Sequence, residues 1–196
     1  MSHTVPRVEI RELAVRDAYA VDLVPHGDAR GRFTEWYRAD VLGGALGFPL
    51  TLAQANHSVS ARGVLRGVHF ALVPPGQAKY VYCPAGRVLD VVVDVRVGSP
   101  TLGHHVAVEL RGRNHKIIWV PPGFAHGTFA LEEDSIVLYE CTAEHGPGRE
   151  GGIRWNDPAL AIAWPAMPTI VSEKDRVAPT LAEWLADPRA QHFRYV

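Results

Sequence analysis

The sequence predicts an all-β sandwich with a few short helices, and three observations favour this fold class. Short β-prone runs alternate with Gly, Pro, Asn and Asp turn residues along most of the chain, as in sandwiches and barrels. Runs such as RVLDVVVDVR alternate in side-chain character with the period of a strand. Helical patterning appears at only two places. Because 196 residues suffice for one sizeable core, we expect a single domain over 1–196.

About ten strands are expected, in the order in which the runs occur. A first run covers 18–26, and the turn GDARGR separates it from a second run at 33–38. The other runs lie at 50–60, 63–70, 78–83, 86–96, 104–112, 115–122, 126–133 and 135–142.

Two short helices complete the predicted elements. The stretch ADVLGGAL at 39–46 contains two glycines, so it can form one or two turns at most. The stretch TLAEWLADP begins with Thr180 as a candidate N-cap and carries Glu183 at the third helical position, which is the spacing of a capping box. We therefore expect a C-terminal helix near 180–187.

The run RVLDVVVDVR predicts what lies on the two sides of its strand. Alternation gives the strand one apolar face and one mixed face. The apolar face carries Leu89, Val91, Val93 and Val95, and the mixed face carries Val88, Asp90, Val92, Asp94 and Arg96. Such a strand lines a core on one side and contacts something partly polar on the other.

Composition and charge narrow the functional class. The net charge of −1 and the lack of basic residues interleaved with aromatic ones argue against a nucleic-acid partner. No stretch is apolar enough for a membrane span or a signal peptide, so we expect no membrane partner. Cys83 and Cys141 lie in apolar runs outside any CxxC pair, which predicts free buried thiols and a cytoplasmic protein.

Polar side chains interrupt otherwise apolar strands, and they are the main functional signal. A single strand histidine is usually a hydrogen-bonded core residue, and a single strand lysine usually extends to the rim. Polar side chains on many strands of one sandwich instead predict a cavity lined from several sides. They are Gln54, Asn56, Arg66, His69, Lys79, His126 and Tyr139.

Metal binding is the competing explanation for the histidines. His57, His69 and His126 are the candidate ligands, but no HxH pair with a nearby carboxylate accompanies them. The neighbours His104 and His105 point to opposite faces of a strand. We therefore expect no metal and no other cofactor.

Arg66 and His69 pose a geometric problem, because residues three apart on a regular strand point to opposite faces. If both serve one cavity, either the strand bulges near Gly67 or the long Arg66 side chain reaches round an edge. Glycine is suited to such a bulge, so pairing near Gly67 should be irregular.

Seven segments, in order from about residue 22 to residue 185, resemble the dTDP-4-dehydrorhamnose 3,5-epimerase family. They are DARGRFTEWYR, QANHSVSARGVLRGVHF, PPGQAKYVYCPAGRVLDVVVDVRVGSPTLG, WVPPGFAHGTFAL, VLYECT, GIRWNDPALAIAWP and VSEKDRVAPTL. The resemblance implies a cupin-like jelly-roll β-sandwich, usually metal-free and usually a homodimer. It also implies an isomerase that converts dTDP-4-dehydro-6-deoxy-D-glucose to dTDP-4-dehydro-L-rhamnose by proton transfer at C3 and C5 beside the C4 ketone.

The resemblance assigns roles to residues of this chain. By this match, the catalytic set is His69 as the base, Asp175 as the carboxylate paired with it, Lys79 beside the developing enolate, and Tyr139 as the acid on the other face. The substrate-binding set is Gln54, Asn56, Arg66 and His126 around the sugar and diphosphate, with Arg30, Phe33 and Glu35 in a nucleotide-binding segment.

The chain departs from the family pattern after YECT, where the family usually shows Asp and two aromatic residues and this chain has Ala143, Glu144 and His145. The thymine ring then needs another neighbour, and Phe33, Trp36 and Tyr37 are candidates. A single-carbon epimerase of an antibiotic-sugar pathway is the alternative function. More remote alternatives are a metal-binding cupin oxygenase and a sugar-binding module without chemistry.

Overall fold

The computed structural model describes residues 8–195, and strands dominate this part of the chain. The strands are β1 (Glu9–Glu12), β2 (Tyr19–Asp22), β3 (His26–Asp28), β4 (Gly31–Phe33), β5 (Gln54–Ser60), β6 (Val64–Ala71), β7 (Lys79–Ala85), β8 (Arg87–Asp94), β9 (His105–Arg111), β10 (Lys116–Val120), β11 (Phe124–Ala130), β12 (Ser135–Cys141), β13 (Glu150–Gly152) and β14 (Ile170–Val171). The helices are α1 (Ala39–Leu46), α2 (Glu173–Arg176), α3 (Leu181–Ala186) and a 3-10 helix (Pro188–His192).

Two large antiparallel sheets form the sandwich. The first sheet has the strand order β1-β2-β10-β7-β12-β5, and the second has the order β13-β6-β11-β8-β9, with β14 added parallel to β6. Strands β3 and β4 form a separate hairpin. Between the sheets, Val81 and Ile118 of the first pack against Val88 and Val92 of the second. The predicted cupin-like, all-β sandwich with a few short helices is confirmed.

The second sheet is covered on its outer side by the C-terminal segment. The apolar face of β8 points outward, where Val91 and Val93 pack with Trp184 and Phe193. The rings of Phe70 and Trp184 lie 4.4 Å apart, centroid to centroid. Each of these side chains contributes about 1.5–3 kcal/mol by leaving water. The mixed face of β8 therefore points into the sandwich, which is where its polar residues can serve a cavity.

The outer side of the first sheet is covered by the segment before β5. Here the prediction of a strand over 33–38 is wrong beyond Phe33, since β4 ends there. Trp36 instead stacks on Tyr80 and Tyr82, at centroid distances of 6.2 and 5.9 Å. The packing of Trp36 thus replaces strand pairing in this segment.

Other differences from the predicted elements are small and have local causes. The run predicted at 50–60 begins pairing only at Gln54. Strand β1, EIRE, was not predicted, because it lies at a sheet edge with mostly exposed side chains and no apolar alternation. The C-terminal helix is confirmed, with Thr180 and Glu183 forming the capping box. Cys83 and Cys141 are both buried and unpaired, as predicted.

Candidate active site

A cavity of ≈ 720 Å³ lies between the two sheets. It collects the residues predicted from the polar interruptions of the strands, together with the predicted carboxylate from the chain's end. The predicted residues that line it are Gln54, Asn56, Arg66, His69, Lys79, His126, Tyr139 and Asp175. Strand pairing brings these side chains together from positions up to 121 residues apart in sequence, from 54 to 175.

The two sheets contribute different chemistry to opposite walls of the cavity. Lys79 on β7 and Tyr139 on β12 project from the first sheet. His69 on β6 and His126 on β11 project from the second. A molecule in the cavity therefore has two histidines on one side and a phenol and a lysine amine on the other.

The predicted irregularity at Gly67 is confirmed. His69 pairs with His126 and Arg66 pairs with Thr128, so three residues of β6 span two of β11. This bulge turns both Arg66 and His69 toward the cavity. Gly67 has φ +125°, and a Cβ there would lie 2.6 Å from the Cα of Gly127. Only glycine fits this close contact between β6 and β11 without a shift of the backbone.

The bulge also provides a hydrogen bond for the buried carboxylate. Strands β13 and β14 pair with the same edge of β6 on either side of Gly67. In the gap between them, the Gly67 N–H donates to Asp175 Oδ2 at 3.2 Å. Asp175 lies on α2, whose N-cap Ser172 accepts from the Asp175 N–H through its hydroxyl. These two hydrogen bonds therefore hold Asp175 in place independently of His69.

His69 and Asp175 form a close pair. The distance from His69 Nε2 to Asp175 Oδ1 is 2.5 Å, and Asp175 is 3% exposed. Burial acts to raise the pKa of Asp175, but the hydrogen bonds from His69, the Gly67 N–H and Ser172, with the charge of His69, lower it below its usual value. The ionised carboxylate accepts from Nε2–H, so Nδ1 is the His69 nitrogen left for proton transfer.

Burial shifts the pKa values of both Lys79 and Tyr139. Burial lowers the pKa of Lys79, against the opposing charges of Cys141, Glu150 and Asp90. Burial also raises the pKa of Tyr139, so its phenol is protonated at neutral pH. The Lys79 amine on this wall can hydrogen-bond a developing oxyanion, and the protonated Tyr139 phenol can donate a proton.

The remaining predicted cavity residues are held by hydrogen bonds. Arg66 Nε donates to Ser60 Oγ at 3.0 Å, which extends the guanidinium along the cavity. Gln54 Nε2 donates to Asn56 Oδ1 at 2.8 Å. The side-chain carbonyl oxygen of Gln54, Oε1, accepts from the backbone N–H of His145 at 2.6 Å. Gln54 therefore positions the segment after β12 as well as lining the cavity.

Some cavity residues were missed by sequence reasoning. Gln77 lies two positions before Lys79, and the period of a strand could have indicated it. His145 and Glu150 were not predicted to line the cavity; His145 Nδ1 lies 3.1 Å from Glu150 Oε1, and Glu150 Oε2 accepts from Lys174 at 2.9 Å. No sequence pattern connects His145, Glu150 and Lys174, because they come from a loop, from β13 and from α2.

The predicted nucleotide-binding segment does not reach the cavity of its own chain. Arg30 pairs with Asp28 on the exposed β3–β4 hairpin, and Phe33 on that hairpin is 66% exposed. Glu35 lines a small recess beside Trp36 on the outer side of the first sheet. Trp36 and Tyr37 pack against Tyr80 there. None of the three aromatic candidates for the thymine ring lines this chain's cavity.

Of the three histidines weighed as metal ligands, His57 lies apart from His69 and His126. His57 is exposed on β5, while His69 and His126 line the cavity. Within residues 8–195, no three His, Cys, Asp or Glu side chains are grouped so that they could hold a metal ion. Across the same residues, no helix has the length and apolar character of a membrane span.

The chain is similar to known sugar-nucleotide epimerases. The dTDP-4-dehydrorhamnose 3,5-epimerase family model matches residues 12–183. The dTDP-4-dehydrorhamnose 3,5-epimerase of Streptomyces griseus is 49% identical over 175 residues, which cover 89% of this chain and 87% of the relative. The dTDP-4-dehydrorhamnose 3-epimerase of Streptomyces niveus is 42% identical over 176 residues, covering 90% and 85%. The crystal structure of dTDP-6-deoxy-D-glucose-3,5-epimerase from Legionella pneumophila in complex with dTDP-4-keto-L-rhamnose is similar with a TM-score of 0.90 and 38% identity, covering 97% of this chain and 100% of that chain.

Proposed function

The chain belongs to the dTDP-4-dehydrorhamnose 3,5-epimerase family and is an isomerase, and from this premise we propose how its cavity works. The substrate is dTDP-4-dehydro-6-deoxy-D-glucose, and the product is dTDP-4-dehydro-L-rhamnose. The enzyme removes the protons on C3 and C5 and returns them to the opposite faces of the ring.

The observation that carries this proposal is the placement of base and acid on opposite walls. His69 projects from the second sheet and Tyr139 from the first, with the cavity between them. Inversion at carbon requires proton removal from one face and proton delivery to the other. A flat enolate between these two walls meets both requirements without turning over.

The first step is proton removal by His69. The proton on C3 moves to Nδ1, and the C–H electron pair moves into the C3–C4 bond as the C4 carbonyl becomes an enolate oxygen. Asp175, fixed by Gly67 and Ser172, holds the ring and stabilises the imidazolium that forms. Lys79 provides the cationic donor for the enolate oxygen.

The second step is proton return by Tyr139. Its O–H gives a proton to C3 from the other face, the C4 carbonyl re-forms, and the phenolate recovers a proton from solvent while His69 releases its own. The same sequence at C5 completes the isomerisation. No atom is gained or lost. Arg66 and His126, with Gln54 and Asn56, bind the sugar and the diphosphate by this proposal.

The alternatives are less well supported. A single-carbon epimerase would use the same walls, and the S. niveus relative carries that name. A cupin oxygenase would need grouped histidines, whereas His57 is exposed apart from the cavity. A sugar-binding module would need no acid and base on opposite walls.

Proton exchange distinguishes these functions. The chain is incubated with dTDP-4-keto-6-deoxyglucose in deuterated water and followed by proton NMR. Loss of both the C3 and C5 signals is expected; loss of one selects the single-carbon epimerase, and loss of neither contradicts the whole proposal. Metal analysis of the purified protein tests the oxygenase alternative, which requires a bound metal ion.

His69→Ala is the variant that tests the base. Exchange should stop, while the affinity for dTDP changes little because Arg66 and Asn56 are untouched. A variant with near-normal exchange would remove His69 from the base role.

We also propose that the chain acts as one domain, as a homodimer and in the cytoplasm. The exposed hairpin with Arg30 and Phe33 supports the dimer, because predicted nucleotide-binding residues that miss their own cavity could serve a second copy. The free buried thiols of Cys83 and Cys141 suit a reducing compartment. Light scattering tests the dimer, and a fully active monomer would contradict it.

A further inference from the structure

A second histidine–carboxylate pair faces the same cavity. The distance from His126 Nε2 to Asp90 Oδ2 is 2.7 Å. Asp90 lies in the middle of β8 and is 0% exposed, and its Oδ1 is buried without a hydrogen-bond partner in the described part of the chain. His126 Nε2 is its hydrogen-bond contact to a side chain.

Packing alone does not explain a carboxylate at this position. Asp90 is flanked on the same face of β8 by Val88 and Val92, which belong to the apolar core between the sheets. A buried carboxylate with one unpaired oxygen is costly, and an apolar residue of similar size would fill the space at no such cost. A buried polar group left unpaired in a native structure needs an explanation, and a catalytic task is one of the few that account for it.

Asp94 shows what a purely structural carboxylate looks like on the same strand. It is also 0% exposed, but it has several partners outside the cavity. Arg96 Nη2 and the hydroxyls of Ser99 and Thr101 all donate to its Oδ2. Asp94 is fully satisfied, whereas Asp90 is committed to one histidine.

The register of the strands places this histidine beside the base. His126 on β11 is the direct Cα partner of His69 on β6, and both side chains line the cavity. Arg66 lies one pair further along, opposite Thr128. Side chains directly opposite on one face have Cβ atoms about 5 Å apart. His126 is therefore next to the reacting end of the cavity.

We infer that Asp90 is a positioning residue that acts through His126 in the proton-transfer step. As an acceptor, Asp90 keeps the proton on Nε2 and fixes the ring, so that Nδ1 of His126 faces the substrate beside His69. The inference rests on the proposed function, since it assigns a task within that reaction. The cavity then contains two histidine–carboxylate pairs with different tasks. Asp175 orients the base His69, and Asp90 orients the neighbouring His126.

A double-mutant cycle tests this inference. Asp90→Asn, His126→Asn and the double variant are compared by the rate of deuterium exchange into dTDP-4-keto-6-deoxyglucose. An asparagine can present its NH₂ to Nε2 and allow the wrong tautomer, so kcat should fall about 10- to 100-fold in Asp90→Asn. KM and the dissociation constant of dTDP should stay within about threefold. Because Asp90 acts through His126, the double variant should lose no more activity than His126→Asn alone.

Asp94→Asn is the matched control, since it changes an equally buried carboxylate on the same strand. It should lower the melting temperature yet leave kcat within about twofold. Should the Asp90→Asn variant fail to fold, long-range ¹H–¹⁵N NMR of the ¹⁵N-histidine-labelled wild type remains decisive, because His126 must carry its proton on Nε2.

The outcomes separate the inference from the proposed function. Additive losses in the double variant, an Asp90→Asn kcat like the control's, or a neutral His126 protonated on Nδ1 would each overturn the inference. Absence of exchange in the wild type would instead overturn the proposed function.

Discussion

Replacing Gly67 by alanine tests the link between the strand bulge and the pair formed by His69 and Asp175. The new Cβ would lie 2.6 Å from the Gly127 Cα and 2.9 Å from the His126 carbonyl oxygen, both of them backbone atoms that cannot rotate away. The φ of +125° costs an L-residue about 1–2 kcal/mol, and overpacking adds about 1–3 kcal/mol. The sum is about 2–5 kcal/mol, which corresponds to about 4–20 °C in melting temperature for a domain of this size.

The assay compares Gly67→Ala with Gly98→Ala by thermal unfolding and deuterium exchange. Gly98 also has a positive φ, +85°, but nothing lies within 4 Å of its Cβ position, so it reports the backbone cost alone. Gly67→Ala should also slow exchange at least tenfold, because any shift moves the N–H that holds Asp175. If the two variants lose equal stability and Gly67→Ala keeps its activity, the close approach of Gly67 to Gly127 is not what positions His69 and Asp175.

Two further predictions concern Tyr139 on the first sheet and Asp94 at the end of β8. Tyr139→Phe should keep proton removal by His69 but lose proton delivery, so inversion falls at least tenfold more than exchange with solvent; equal losses of both would remove Tyr139 from the acid role. Hydrogen bonds from Arg96, Ser99 and Thr101 lower the pKa of Asp94 from 3.8 although burial opposes them. The stability that they provide is therefore present above about pH 4 and is lost as the pH falls through the lower folded value. Urea unfolding should show Asp94→Asn about 3 kcal/mol less stable at pH 7 and the gap closing below pH 4; a constant gap would contradict this.

The irregular pairing of β6 near Gly67 was predictable because its cause lies in a few neighbouring residues. Arg66 and His69 are three residues apart, so alternation alone required either a bulge at Gly67 or a side chain that bends round an edge. The structure shows the bulge. Gln54 and Asn56, two positions apart on one strand, both line the cavity, as the period of a strand requires. Predictions of this kind depend on a few neighbouring residues and a fixed period.

Features that depend on long-range pairing could not be predicted in the same way. Asp90 was assigned to the mixed face of its strand, but its partner His126 is 36 positions away and becomes adjacent only through the pairing of β8 with β11. The hydrogen bond from Lys174 to Glu150 likewise joins residues 24 positions apart. Trp36 was predicted as part of a strand, and only the outward-facing rings of Tyr80 and Tyr82, which it covers, explain why it packs instead.

The cover formed by residues 181–193 has a consequence for the order of events during synthesis. Strands β6, β8 and β11 leave the ribosome well before Trp184 and Phe193, which close over Val91 and Val93. Until then the nascent sheet presents an apolar side to its surroundings, the condition under which growing chains aggregate or engage chaperones. The covering of the second sheet by this segment therefore follows the synthesis of its main strands, and His69 on β6 meets Asp175 on α2 only late in folding.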